Sequence, residues 1–140
     1  MIDAAFDAAV QAALQIDAPL AEAMGGELRL FELSAGNGSR FPHVIYGDVQ
    51  IVPVAGGCGS AYEIYTTLRV WTRDDEMGPA STLAQAKSIG GRVREVLDAP
   101  LSIDGHEVID HGSSANYSSD ADGLSALGVI EIRYWVEASA

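Results

Sequence analysis

Hydrophobic residues recur along this chain at two periods, near four in some stretches and two in others, and the periods separate helices from strands. Ile2, Phe6, Val10 and Leu14 stand four apart with Ala9 and Ala13 beside them. That single apolar stripe predicts a helix over residues 3–16, with Asp3 placed to cap it and Pro19 to stop it. "PLAEAM" adds a short helical turn ending at Gly25-Gly26. Leu83, Ala86, Ile89, Val93, Val96 and Leu97 trace the buried face of a second long helix, opened by Pro79 and closed before Pro100. Gly90-Gly91 weakens that helix by about 1 kcal/mol per glycine, so close packing is expected there.

Period two governs the rest. In "YEIYTTLRVWTR", residues 62–73, one face carries Tyr62, Ile64, Leu68 and Val70, and the other Glu63, Tyr65, Arg69, Trp71 and Arg73. "GVIEIRYWVEA", residues 128–138, echoes it: Ile130, Ile132, Tyr134 and Val136 against Glu131, Arg133, Trp135 and Glu137. Each strand thus places Arg-x-Trp on the face its aliphatic residues do not use. "LRLFEL" predicts a short strand, and "HVIYGDVQIVPV" a longer one from about His43 to Val52, with a bulge at Gly47 and an end at Pro53. The glycine-rich "AGGCGS" joins it to the 62–73 strand as an antiparallel hairpin. Asp104-Gly105 is a type I′ hairpin signal between 101–103 and 106–109. A further strand-like stretch runs to about Tyr117, and Ser118 to Leu127 read as a polar loop. The predicted order is α-β-β-β-α-β-β. It makes residues 1–140 a single α+β domain, a mostly antiparallel sheet with two main helices packed on one face.

Composition sharpens this picture. A chain of 140 residues, 48% hydrophobic and 20% charged, is globular and buries roughly two-thirds of its unfolded surface. A net charge of −12 argues against a surface that grips nucleic acid, yet allows one that DNA passes without sticking. No apolar run approaches the roughly 20 residues of a transmembrane helix, so no membrane partner is expected. Asp3 and Asp7 stand where a secretory signal would carry Lys or Arg, and a cytoplasmic origin follows as the expectation.

The candidate chemistry is thin. His43, His106 and His111 form no HExxH or i,i+4 pair and read as polar surface or edge residues. Cys58, the only cysteine, sits in "GGCGS" with no helix following to activate it, and reads as structural. "DADGLSALGVIE" places Asp120, Asp122 and Glu131 at calcium-loop spacing but lacks glycine at the sixth position; a solvated acidic loop fits better. "SAGNGSRFP" lacks the strand and helix context of a phosphate cradle. No catalytic residue, metal site or cofactor is expected.

The Arg-x-Trp rows admit two readings. Trp71 and Trp135 are either half-buried under a loop with arginine stems across them, or part of a protein interface. The second makes Tyr65, Arg69, Trp71, Arg73, Arg133 and Trp135 candidate contacts with a subunit or partner.

The order of "MGGELRLFE", "FPHVIYGDV", "YEIYTTLRVWT", "TLAQAKSIGGRVREVL" and "GVIEIRYWVEA" resembles the tail-completion or tail-terminator proteins of long-tailed bacteriophages and phage-like gene transfer agents. The resemblance runs from about Ala4 to Glu137, chiefly on Pro42-His43-Val44-Ile45-Tyr46 and Arg133-Tyr134-Trp135. It implies a non-enzymatic α+β subunit without cofactor, made in the bacterial cytoplasm and placed at the neck of the virion tail. Such a subunit forms a sixfold homomeric ring on the head-proximal end of the tail tube. Its partners are then further copies of itself, the major tail tube protein and the head-tail connector or stopper. DNA passes through without specific binding, and Asp120 and Asp122 become candidate channel-lining residues. A head-completion or neck adaptor ring is the near alternative, and a small α+β ligand-binding domain the distant one.

Overall fold

The computed structural model describes residues 2–32, 41–54, 61–73, 79–121 and 124–139. Helix α1 spans Ile2–Gln15 and buries Ile2, Phe6, Ala9, Val10 and Leu14, the stripe its sequence predicts. Asp3 lies inside the first turn rather than at the cap, because the helix already begins at Ile2. The short α2, Ala18–Ala23, is capped instead by Asp17, whose carboxylate accepts from the Leu20 amide at 2.9 Å. Gly25 and Gly26, at φ of 92° and 103°, turn the chain away where a side chain would be strained.

Strands β1 (Leu30–Glu32), β2 (His43–Val54), β3 (Ala61–Arg73), β4 (His106–Ser119) and β5 (Ser125–Ala138) form one sheet in the order β1-β2-β3-β5-β4. Only β1 and β2 run parallel; every other pairing is antiparallel. The bulge falls between Tyr46 and Asp48, at Gly47 as predicted. Pro53 does not end β2, which continues to Val54. β1 reaches only Val44 to Tyr46, so at Pro53 the outer side of β2 has no described neighbour and a missing N–H is tolerated.

The largest departure is at the far edge. The predicted polar loop over 118–127 shrinks, because β4 extends unbroken from His106 to Ser119 and β5 begins at Ser125. Continuous pairing from Ser119↔Ala126 back to Val108↔Val136, with one shift at Ile109, carries these polar residues into the ladder. Ser, Asn and Gly have low strand preference, and here pairing with the apolar β5 overrides it. The Asp104-Gly105 turn forms, with Gly105 at φ 74°, but on its upstream side only Ile103 bridges back to His106.

Helix α3, Pro79–Leu97, lies on the same face of the sheet as α1. Tyr134 fixes both helices: Phe6 meets its ring edge-on at 5.5 Å, and its hydroxyl donates to the Leu97 carbonyl. Ala86, Ile89, Val93 and Leu97 are buried, while Leu83 and Val96 stay half-buried at the stripe's margins. At Gly90 α3 packs closely on the sheet, since a Cβ there would lie 2.5 Å from the Tyr117 hydroxyl. Gly91 meets no such neighbour. Arg92 closes a fork on Asp17 at 2.7 and 2.8 Å, tying the end of α1 and the cap of α2 to α3.

Candidate functional site

Pairing by two puts alternate residues of β3 and β5 on the side away from the helices. Ile64, Thr66, Leu68, Val70 and Thr72 of β3, with Ile130, Ile132, Tyr134 and Val136 of β5, point into the core. Their neighbours make an open face on which no described helix packs. All six predicted contact residues lie on it: Tyr65, Arg69, Trp71 and Arg73 on β3, Arg133 and Trp135 on β5.

The register decides how they are arranged. Tyr65 pairs with Arg133, Thr67 with Glu131, Glu63 with Trp135 and Trp71 with Leu127. Because the strands are antiparallel, the two Arg-x-Trp rows point in opposite directions about the Thr67–Glu131 pair. The arginines therefore flank the centre and the tryptophans stand at opposite ends. Trp71 lies eight residues along β3 from Glu63, the partner of Trp135, or about 27 Å. The two tryptophans share a face and adjacent strands, but not a patch.

Each end has its own surroundings. Trp71 is half-buried and pairs across β2 with His43, itself only 4% exposed between the rings of Phe31 and Phe41. His43 is therefore a buried aromatic-cluster residue, not the surface position its sequence suggests; the rings of Phe31 and Phe41 flank it once β1 and β2 align. Trp135, also half-buried, reaches Glu137 with its indole N–H at 3.4 Å. Between the ends lies a shallow depression of about 580 Å³ lined by Gln50, Tyr65, Thr67, Ser114, Glu131 and Arg133.

Charges along the centre are cross-strand pairs. Arg69 bonds Asp48 of β2 at 2.5 Å, and Arg133 bonds Asp110 of β4 at 3.2 Å. Arg133 crosses β4 over Gly112, where a Cβ would come within 3.0 Å of its guanidinium. Tyr65 donates to Glu63 at 3.0 Å, and that carboxylate holds the phenol's pKa above its ordinary value. All these groups are at least partly exposed, so the pairs orient side chains more than they stabilise the fold. Sequence reasoning missed Asp48 and Asp110, because each meets its arginine only through strand register, beside a shift that Gly47 announces for Asp48 but no local motif announces for Asp110.

Asp120 lies apart from this face, exposed at the turn between β4 and β5, where its amide bonds the Ser125 carbonyl at 2.9 Å. Asp122 and Cys58 fall outside the described residues. His106 and His111 stand on the edge strand β4, His106 against the Asp104 carbonyl and His111 against Asp98 at 2.6 Å. Ser113 donates to the other oxygen of Asp98, so serine and histidine both bond the carboxylate in place of the Ser-His contact that nucleophile activation needs. Among the described residues no three His, Cys, Asp or Glu side chains gather as a metal would require.

Comparison with known proteins supplies what this geometry alone does not. No curated protein matches the chain. Solved structures do, among them the following two. One chain of a native gene transfer agent virion superposes with a TM-score of 0.76 at 20% identity, covering 98% of both chains. The gp17 protein of bacteriophage SPP1 superposes at 0.57 with 25% identity, covering 94% of this chain and 88% of that one. The family described as tail completion protein gp17 matches residues 8–137, nearly every element of the fold. The chain belongs to the tail completion protein gp17 family, and its role is structural, in the assembly of a phage-type tail.

Proposed function

We propose that this protein is a tail terminator, a subunit of a ring that caps the head-proximal end of the tail tube, stops its growth and joins it to the head connector. Family membership over residues 8–137 carries this reading. The open sheet face supports the ring. A closed ring needs two different patches on each subunit, one meeting the other on the next copy. A face bearing Tyr65, Arg69, Trp71, Arg73, Arg133 and Trp135 has the aromatic and arginine content of interface hot spots. Because its tryptophans stand about 27 Å apart, they serve as two separate anchors rather than one. The major tail tube protein and the head-tail connector are the partners at the two ends of the ring.

The turn between β4 and β5, with Asp120 and Asp122, is assigned to the lumen, where carboxylates repel DNA phosphates and let the genome slide. Charge reversal at both positions should then leave ring assembly intact, as judged by size-exclusion chromatography with light scattering. Failed assembly would move the turn to a subunit contact.

Electron microscopy of particles lacking this chain tests the whole reading. Overlong tails detached from heads are expected. Leaking heads with tails of normal length would make it a neck adaptor, and normal infectious particles would leave a small-molecule-binding role standing.

A further inference from the structure

β4 is the last strand of the sheet, so only its inner side, against β5, has a described partner strand. The Asp120 amide bonds the carbonyl of Ser125, the residue opposite it, which makes Asp120–Ser125 a hydrogen-bonded pair. Counting back by two through the unbroken register, Ser118, Asn116, Ser114 and Gly112 also turn their backbone groups towards β5. Ser119, Tyr117, Ala115 and Ser113 then turn theirs outward. Accordingly, the Ser113 carbonyl accepts from Arg94 of α3 at 3.2 Å rather than from β5. At the start of the strand Ile103 takes the outer side, bridging to His106. Among the described residues, no hydrogen bond reaches the outward groups of Ala115, Tyr117 or Ser119. Residues 33–40, the longest stretch outside the described ones, join β1 to β2 at the opposite edge of the sheet.

Proteins blunt an exposed edge with lysine, proline or a bulge, because free ladder groups pair with any extended chain that reaches them. β4 lacks these guards where its edge is open. Its register shift falls upstream at Ile109, and the stretch from Gly112 to Ser119, "GSSANYSS", holds neither a proline nor a charge in a chain that is 20% charged. Ser114, Asn116, Ser118 and Ser119 are exposed, and their small side chains let a second backbone approach. We infer that the edge from Ala115 to Ser119 receives an extended, basic segment of a different protein of the tail, adding a strand to the five already present. The free N–H and C=O groups specify an extended backbone. Charge specifies its sign: the chain carries −12 and the exposed Asp120 closes the run, so lysine and arginine are attracted and acidic segments repelled. The same charge disfavours a second copy, since pairing β4 with itself would bring two chains of −12 together over this short run.

This assignment rests on the tail role of the chain and not on the ring. Hydrogen exchange, read residue by residue by mass spectrometry, compares the purified protein with the same chain in purified tails. The amides of Ala115, Tyr117 and Ser119 should slow about tenfold in tails, the scale of one hydrogen bond added to each. Those of Ser114, Asn116 and Ser118, already in the ladder with β5, should change less. At the exposed Asn116, Asn116→Lys should restore fast exchange or detach the chain from tails, because it meets the basic segment with a like charge, whereas Asn116→Asp should do neither. Outward amides that exchange as fast in tails as in the purified protein overturn the inference and leave tail termination, judged by tail length, untouched. Protection that grows with concentration in the purified protein alone makes the occupant a second copy and overturns it too. Identical behaviour of Asn116→Lys and Asn116→Asp overturns the basic character of the segment.

Discussion

The two faces of this sheet are cut from the same strands and do opposite things. On the helix face, Leu68, Ile130 and Tyr134 are completely buried under α1 and α3. On the open face, Arg69, Glu131 and Arg133 one residue away meet solvent, and the two arginines pair with Asp48 and Asp110. Strand propensity cannot account for the contrast, since both faces use the same backbone. What differs is what covers them. Two helices remove one face from water, and hydrophobic burial makes that face the source of folding energy. The other retains arginine, tyrosine and tryptophan without a described covering element, which leaves them available for recognition.

The strongest way to break this division is to mutate neighbours on opposite faces. Leu68→Ala is expected to lower stability by about 2–5 kcal/mol, because it opens a cavity between sheet and helices. Arg69→Ala, one residue on, should change it by less than about 1 kcal/mol, since an exposed ion pair contributes little. Thermal melts of the two variants decide it. Comparable losses would mean that the open face also holds the fold together.

A smaller effect tests how tightly the covered face is packed. Tyr117 of β4 lies against both Gly90 of α3 and Gly128 of β5, where an added Cβ would come within 2.5 and 2.8 Å of its side chain. Gly90→Val should therefore cost about 1–3 kcal/mol by overpacking. Adding Tyr117→Ala should recover part of that loss in a double-mutant cycle. Strict additivity would show that the helix can simply lift away.

The smallest effect concerns the rim that holds α1, α2 and α3 together. The Arg92 hydrogen bond is the main cause of a lowered pKa at Asp17. Ser113, followed by His111, does the same for Asp98. Both folded values lie below the ordinary 3.8, so the stability these carboxylates contribute is complete above that pH and is lost as pH falls through the folded values. Asp17→Asn should accordingly melt lower at neutral pH and lose less than the parent on acidification. An unchanged acid profile would show that the fork on Arg92 does not hold the rim.

Much of this was legible in the chain itself. Period four identified α1 and α3, period two identified the two faces of β3 and β5, and Gly47 announced its bulge, because these patterns are local and the core selects them directly. The far ends of β4 and β5 were not legible: Ser118, Ser119 and Ser125 to Leu127 signal a loop until the two strands pair.

By itself, then, the sequence determined which residues face the core, since burial rewards a periodicity that can be counted along the chain. It also determined that Tyr65, Arg69, Trp71, Arg73, Arg133 and Trp135 would share the opposite side of their strands. Only the tertiary structure decided their arrangement: arginines central, tryptophans about 27 Å apart, and His43 enclosed by rings. It alone set Asp7 beside the buried hydroxyl of Tyr46. The reason is strand register and helix docking, which bring together residues far apart in sequence through contacts that no local pattern encodes.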